Sequence, residues 1–326
     1  MRLYLPAIAV ILTVAGGCDN VAWGGIDVQL NAPPEPPPEA LEEEIDVAAR
    51  ERIDGPVRLA GGHDGFRATL TLVGEILPDG IEAFPDTSAH EAERLAALTA
   101  PGSEWILFSE GVRVGRLRAD STAPAQGFCG SRVEVSGVAE LTPSAGAAEQ
   151  LLALHAEVAE DRPYGAFESP THDYDQRVAS LALASEALPR LEAPWPAGGL
   201  LASRADVQAF ALEGVPGAPV AATFLHRDQL SVASPGAGAY SLFVIGTGSG
   251  QSYTTAFEWY RSVEAEGKGA PRYFDHLDWN GDGSEEILLE MYGADRRWYA
   301  SLARRNGSWV RVFQDACGGS ASPTAR

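Results

Sequence analysis

Residues 270–315 read APRYFDHLDWNGDGSEEILLEMYGADRRWYASLARRNGSWVRVFQD, and this stretch decides the fold class. Its apolar and β-branched residues fall into short runs separated by turn residues, a pattern that indicates strands rather than helices. The predicted strands are 271–277, 286–292, 297–304 and 308–313. Asn306-Gly307 joins the last two, and this dipeptide is the strongest short-range signal for a β-hairpin. The stretch therefore predicts an antiparallel strand meander.

An acidic loop connects the first two of these strands. Five of its residues fall at the ligand positions 1, 3, 5, 7 and 9 of a calcium-binding loop: Asp278, Asn280, Asp282, Ser284 and Glu286. Ser284, at position 7, would bind through its backbone carbonyl. Ca²⁺ takes about six to eight oxygen ligands, and Gly283 permits the sharp turn that gathers them. Position 12 is Leu289, so the bidentate glutamate of an EF-hand is missing. We predict one structural Ca²⁺ site here, the alternative being an Asx-rich turn without metal.

This combination of strand, loop and aliphatic strand resembles the FG-GAP and VCBS-type repeats of extracellular proteins. The resemblance covers residues 270–315 and implies a structural Ca²⁺ site in a blade of a β-propeller, with Asp278, Asn280, Asp282 and Glu286 as ligands. A shift of 66 residues lays 207–224 over 273–290, but the first copy has no metal-binding side chains at the ligand positions. Since a propeller needs at least four blades, two such units predict an incomplete propeller.

The rest of the sequence predicts a mainly β protein with a few helices, in which two β-rich regions are joined by a helical segment. The predicted boundaries are an N-terminal β-rich region at 56–142, a helical connector at 143–204, a C-terminal β-rich region at 205–318 and a tail at 319–326. Within the first region, Glu110-Gly111 separates two strand patterns and predicts a hairpin turn. Within the connector, apolar residues recur at helical spacing over 145–160 and 176–191.

The N-terminus predicts export. Arg2 precedes an apolar stretch that is shorter than a membrane-spanning helix, and small residues lead directly into Cys18. Residues 1–17 resemble a bacterial lipoprotein signal peptide, which implies lipidation of Cys18 and anchoring in the cell envelope. The alternative is an ordinary secretory signal, which would release a secreted protein if Cys18 is not lipidated. Residues 18–55 are rich in Pro and Glu and predict an extended, solvated linker.

Cysteine usage bears on the cellular compartment of the protein, and net charge bears on the partners it can bind. Cys129 and Cys317 are predicted to form a disulfide, because paired cysteines are usually bridged in an oxidising envelope compartment. With 24 Lys+Arg against 45 Asp+Glu, the formal net charge is −21. This excess of negative charge argues against nucleic acid as a partner. The remaining candidates are the membrane, through the lipid, and a protein or glycan ligand.

The predicted function is a non-enzymatic binding or scaffolding role in the envelope. The alternative is an envelope hydrolase whose catalytic carboxylates a single sequence does not reveal, since 45 acidic residues supply pairs by chance. The six histidines show no metal-ligand spacing. His276 lies beside the acidic loop, and strand alternation places it on the face opposite to Asp275 and Leu277.

Overall fold

The computed structural model describes residues 56–77, 80–82, 89–215, 217–250 and 252–318. Along these residues fifteen strands form three antiparallel sheets, accompanied by short helices and one long helix. The prediction of a mainly β protein with two β-rich regions is confirmed. The predicted signal peptide, Cys18, the linker to residue 55 and the tail at 319–326 lie outside the described residues.

The N-terminal region is a closed β-barrel. Its seven strands are β1 (Val57–Asp64), β2 (Arg67–Leu77), β3 (Gly80–Glu82), β4 (Glu104–Ser109), β5 (Val112–Pro124), β6 (Val133–Leu141) and β7 (Leu151–His155), with helix α1 (Ala89–Leu98) between β3 and β4. The order is β1-β7-β4-β5-β6-β2, and β1 also pairs with β2, so six strands close a ring to which β3 is added. Closure removes the exposed edges that an open sheet would present. Alternate residues such as Leu59, Leu70 and Leu107 fill the interior.

The prediction of a helix at 145–160 is wrong. Leu151–His155 forms strand β7, and only Ala156–Ala159 forms a one-turn helix, α2. β7 pairs with β1 on one side and β4 on the other, and its residues are buried on both faces. A strand covered on both faces is a continuous apolar run, and periodicity cannot distinguish such a run from a buried helix. One strand of the barrel, β7, therefore lies within the range predicted as the helical connector.

The second helix of the connector is confirmed. Helix α3 (Tyr174–Arg190) begins at Asp173, whose carboxylate accepts from the backbone N–H of Gln176 while the Gln176 side chain accepts from the backbone of Asp173. This reciprocal capping box satisfies donors that the first helical turn leaves open. A single turn, α4 (Leu200–Ser203), leads into the next strand.

The C-terminal region consists of two four-stranded meanders, which confirms the predicted meander. The first contains β8 (Arg204–Ala209), β9 (Val220–His226), β10 (Tyr240–Ser249) and β11 (Ser252–Ser262). A single helical turn, α5 (Val263–Glu266), leads to the second. The second contains β12 (Ala270–Leu277), β13 (Glu286–Tyr292), β14 (Arg297–Arg305) and β15 (Ser308–Gln314). Arg204 and Ala270 begin the first strands, and Val220 and Glu286 begin the second, a constant offset of 66 residues. The 66-residue shift in the sequence therefore corresponds to the first two strands of each sheet.

Apolar contacts stack these elements in layers. The outer face of the barrel, through Ile106 and Leu152, packs on Leu288 and Tyr299 of the β12–β15 sheet. The other face of that sheet packs on the β8–β11 sheet, whose far side is covered by α3. The predicted disulfide is present: it joins Cys129, between β5 and β6, to Cys317 after β15, with a Cα–Cα distance of 5.9 Å.

Candidate functional site

The predicted calcium loop is a tight turn wrapped around one carboxylate. Oδ1 of Asp278 accepts from the backbone N–H groups of Gly281 at 2.7 Å and Asp282 at 3.1 Å, and Oδ2 accepts from Gly283 at 3.0 Å. Gly281 (φ 76°) and Gly283 (φ 83°) have left-handed backbone conformations, which glycine adopts without steric cost. Both glycines thereby allow the chain to close around the Asp278 side chain.

The other predicted ligands follow in the same turn. Asn280 Oδ1 accepts from the N–H of Asp282 at 3.1 Å, and Asp282 Oδ1 accepts from the N–H of Ser284 at 2.8 Å. Glu286 begins β13 and is only 3% exposed, and its Oε2 atom has no hydrogen-bond partner among the described residues. Burial, together with the nearby charges of Asp282 and Asp278, raises the pKa of Glu286 to about 8. The turn thus brings the five residues together, with one buried oxygen unsatisfied.

Two arginines lie against this loop. Arg162 donates to the backbone carbonyls of Asp278 and Trp279. The guanidinium of Arg58 lies 3.9 Å from the centroid of the Trp279 ring, and burial lowers its pKa to about 9 despite the attraction of Asp275 and Glu286. Two fixed positive charges therefore offset part of the negative charge that the loop carries.

A second cluster lies on the other side of the last residues of β12. We call Glu110, Asp275 and His276 the triad: one ligand atom from each lies within 4.8 Å of the other two. Nδ1 of His276 is 3.8 Å from Oε2 of Glu110 and 3.8 Å from Oδ1 of Asp275. On the opposite side of the ring, Nε2 of His276 is 3.6 Å from Oε1 of Glu285. None of these four residues was predicted to be a ligand or a catalytic residue; Glu110 was predicted only as part of a hairpin turn.

Local backbone geometry brings the triad together. β12 is an edge strand, and the β4–β5 turn hydrogen-bonds to it: the N–H of Glu110 donates to Oδ1 of Asp275 at 3.0 Å, and the N–H of Gly111 to the carbonyl of His276 at 3.2 Å. Glu110 (φ 49°) and Gly111 (φ 73°) form the predicted hairpin turn. A Cβ atom on Gly111 would lie 2.4 Å from Oε1 of Glu285 and 3.0 Å from Nε2 of His276, so a larger residue would displace these side chains.

A β-bulge in β12 changes the side-chain alternation. Tyr273 pairs with Leu289 and Asp275 with Leu288, which leaves Phe274 as the extra residue. The bulge puts Tyr273 and His276 on the same face, and the Tyr273 hydroxyl lies 2.7 Å from Nδ1 of His276. Bulges frequently re-aim side chains near functional sites. His276 and Asp275 remain on opposite faces, but at an edge strand both side chains reach Glu110.

Burial dominates the electrostatics of the triad. It raises the pKa of Glu110 to about 8, assisted by the nearby charge of Glu285, and it raises the pKa of Asp275 well above its usual range. It lowers the pKa of His276 to about 3, so the imidazole is neutral at physiological pH. The cluster therefore consists of two carboxyl groups and a neutral imidazole in a poorly hydrated environment.

The triad borders a polar cavity of about 530 Å³. The cavity lies between the barrel, the segment before α3 and strand β8, and its charged and polar lining includes Glu110, Glu149, His172, Arg204 and Asp206. Glu110 belongs to both the cavity wall and the triad, whereas Asp275 and His276 are buried behind it.

Comparison with known proteins gives no assignment: no family model, no curated protein and no solved structure matches the chain. None of the helices in the described part of the chain combines the length and the apolar character that crossing a bilayer requires.

Proposed function

We propose that this chain is an exported, lipid-anchored protein of a bacterial cell envelope with a non-enzymatic binding or scaffolding role and one structural Ca²⁺ site. The observation that carries the calcium part of the proposal is the loop between β12 and β13. The N-terminal sequence supports export and lipidation at Cys18, and the Pro/Glu-rich residues 18–55 suit a spacer between the membrane and the folded body.

The residues of the loop fit a calcium ion. All candidate ligands are oxygen atoms, which hard cations prefer, and Glu286 has a buried oxygen without a partner. A bound cation would compensate the carboxylates that crowd Glu286. Arg58 and Arg162 oppose this attraction, and position 12 offers no carboxylate. The expected affinity is therefore weak, in the range of about 10⁻⁴–10⁻³ M found for extracellular calcium modules.

The cavity next to Glu110 supports the binding role. Its volume of about 530 Å³ suits a small ligand or the side chains of a larger one. Its lining combines Arg204 with the acidic residues Glu110, Glu149 and Asp206. Such a surface favours a polar partner, either a segment of a protein or a glycan, over an apolar ligand.

Thermal unfolding of the full-length chain in detergent tests the calcium site. At a calcium concentration ten times Kd, binding only to the folded state adds about 1.4 kcal/mol of stability, a rise of a few degrees in Tm over a sample in chelator. Asp282→Asn should remove this rise. Asp295→Asn is the matched control, because Asp295 is an exposed turn carboxylate outside the loop. Equal Tm values for the wild type with calcium and with chelator would exclude a site of this affinity.

Lipidation is tested separately in a bacterial host. The wild type is expected in the membrane fraction with incorporated radiolabelled palmitate, and Cys18→Ser should lose both properties. Asn20→Ser is the matched control. Release of the wild type without label would instead identify an ordinary secretory signal.

A second candidate function, an envelope hydrolase, draws on a different observation. Glu110 and Asp206 line the same cavity, and two carboxylates commonly share the acid and base roles in hydrolysis. The test is a panel of chromogenic glycosides and esters. Activity that is lost in both Glu110→Gln and Asp206→Asn but kept in Glu149→Gln, an acid of the same cavity, would favour the hydrolase over the binding role.

A further inference from the structure

The triad has the donor set of a transition-metal site. Two carboxylates and one imidazole suit Zn²⁺ and related divalent ions, whereas Ca²⁺ takes oxygen ligands alone. In a tetrahedral zinc site with bonds of about 2.0–2.1 Å, ligand atoms lie about 3.3–3.4 Å apart. Nδ1 of His276 is 3.8 Å from Oε2 of Glu110 and 3.8 Å from Oδ1 of Asp275, a few tenths of an ångström longer than that spacing. The ligand atoms of the three residues all lie within 4.8 Å of one another.

A second, independent observation is an unsatisfied atom. Asp275 is 1% exposed, and its Oδ2 has no hydrogen-bond partner among the described residues. Its other oxygen accepts from the N–H groups of Glu110 at 3.0 Å and His276 at 2.7 Å. The carboxylate is therefore held in place by two backbone bonds, while one oxygen lacks the partner that burial ordinarily demands.

The surroundings of His276 resemble the outer shell of a metal site. A metal-bound histidine usually donates its second ring N–H to a carboxylate, which fixes the tautomer and the ring. Glu285 occupies that position, with Oε1 3.6 Å from Nε2, and is itself held by the N–H of Glu213 at 2.7 Å from its other oxygen. This leaves Nδ1 as the nitrogen that faces Glu110 and Asp275.

The cavity provides an entry path. The side chain of Glu110 is 17% exposed and lines the cavity wall, so an ion can enter from that side without opening the interface between the sheets. Glu110 also has a left-handed backbone conformation, which is costly for a non-glycine residue and is commonly retained at functional sites.

We propose that Glu110, Asp275 and His276 bind a divalent transition-metal ion, best represented by Zn²⁺, with Glu285 as the outer-shell partner of His276 and an open coordination position toward the cavity. The site is separate from the calcium loop in its ligands and in the ion it selects. The Tyr273 hydroxyl hydrogen-bonds with the same nitrogen that would bind the ion, so the hydroxyl and the ion compete for Nδ1.

Calorimetric titration of the full-length, chelator-treated chain in detergent with ZnCl₂ tests the proposal. The wild type should bind one Zn²⁺, and His276→Gln should weaken binding by at least about 100-fold, since outer-shell changes alone cost about 10–100-fold. Glu285→Gln should weaken it by about 10-fold. His172→Gln, which changes a histidine of the same cavity outside the triad, should leave the affinity unchanged.

Three further variants distinguish this site from a purely structural cluster and from the calcium loop. Tyr273→Phe should bind Zn²⁺ at least as tightly as the wild type, because it removes the competing hydroxyl. Asp282→Asn should keep the Zn²⁺ affinity while losing the calcium effect. Glu110→Gln, at a partly exposed position, covers the case in which His276→Gln fails to fold, as judged by circular dichroism. Absence of Zn²⁺ binding by the wild type, or equal binding by folded Glu110→Gln, would overturn the proposal.

Discussion

Removal of the disulfide is expected to be the most destabilising covalent change in the described part of the chain. Cys129 and Cys317 are 188 residues apart in sequence, and their bond links the barrel to the end of the β12–β15 sheet. The backbone around Cys129 is also held by hydrogen bonds, since its N–H donates to the carbonyl of Arg297 at 2.8 Å and the N–H of Arg297 to the carbonyl of Gly127 at 2.7 Å. The disulfide therefore acts mainly by restricting the unfolded chain.

The magnitude follows from the length of the closed loop. In the chain-entropy relation a loop of about 190 residues corresponds to about 5 kcal/mol at 25 °C. This is comparable to the whole stability of a marginal domain, about 5–15 kcal/mol. The unfolded chain should also become more expanded without the bond, so the urea m-value should rise while the midpoint falls.

The assay is urea unfolding of the Cys129→Ser/Cys317→Ser double variant, followed by tryptophan fluorescence, with Cys18→Ser as the cysteine control. The double variant should lose several kcal/mol of unfolding free energy and gain m-value, and the control should match the wild type. A loss below about 1 kcal/mol with an unchanged m-value would refute the reasoning, because it would mean that the unfolded chain is not restricted by the bond.

Three further predictions concern packing, capping and pH. Leu288→Ala, at a fully buried position between barrel and sheet, should cost about 2–5 kcal/mol in urea unfolding. Asp173→Ala removes the N-cap of α3 and should cost about 1 kcal/mol in the same assay. Tyr240 donates to the carbonyl of Pro194 at 2.7 Å, and burial raises its pKa to about 12. The neutral Tyr240 hydroxyl stabilises the fold fully below pH 10, the unfolded pKa, and this stabilisation is lost as pH rises through 12. Between pH 9 and 11 the wild type should therefore lose more unfolding free energy than Tyr240→Phe.

Features determined by short-range chemistry could be predicted from the sequence. The turns at Glu110-Gly111 and Asn306-Gly307 are present, because these positions require left-handed backbone conformations that glycine readily adopts. The meander near the C-terminus depends on neighbouring residues in the same way. The strand at 151–155 was missed because its burial on both faces comes from two partner strands that are distant in sequence.

The triad was missed for a different physical reason. Glu110 and Asp275 are 165 residues apart, so only the packing of the barrel turn on the edge of β12 brings them together. The bulge at Phe274 also changes which side chains share a face, and alternation alone does not reveal a bulge. One signal was available: the glutamate of Glu110-Gly111 occupies a turn position at which asparagine, aspartate or glycine is strongly preferred.

Arg58 connects the two candidate metal centres electrostatically. Its guanidinium is fully buried, none of its three nitrogens has a hydrogen-bond partner among the described residues, and it is attracted to Asp275 on one side and Glu286 on the other. A buried charge held in this way adds little net stability, since desolvation offsets the attraction. What it does provide is a positive charge shared by the two carboxylates.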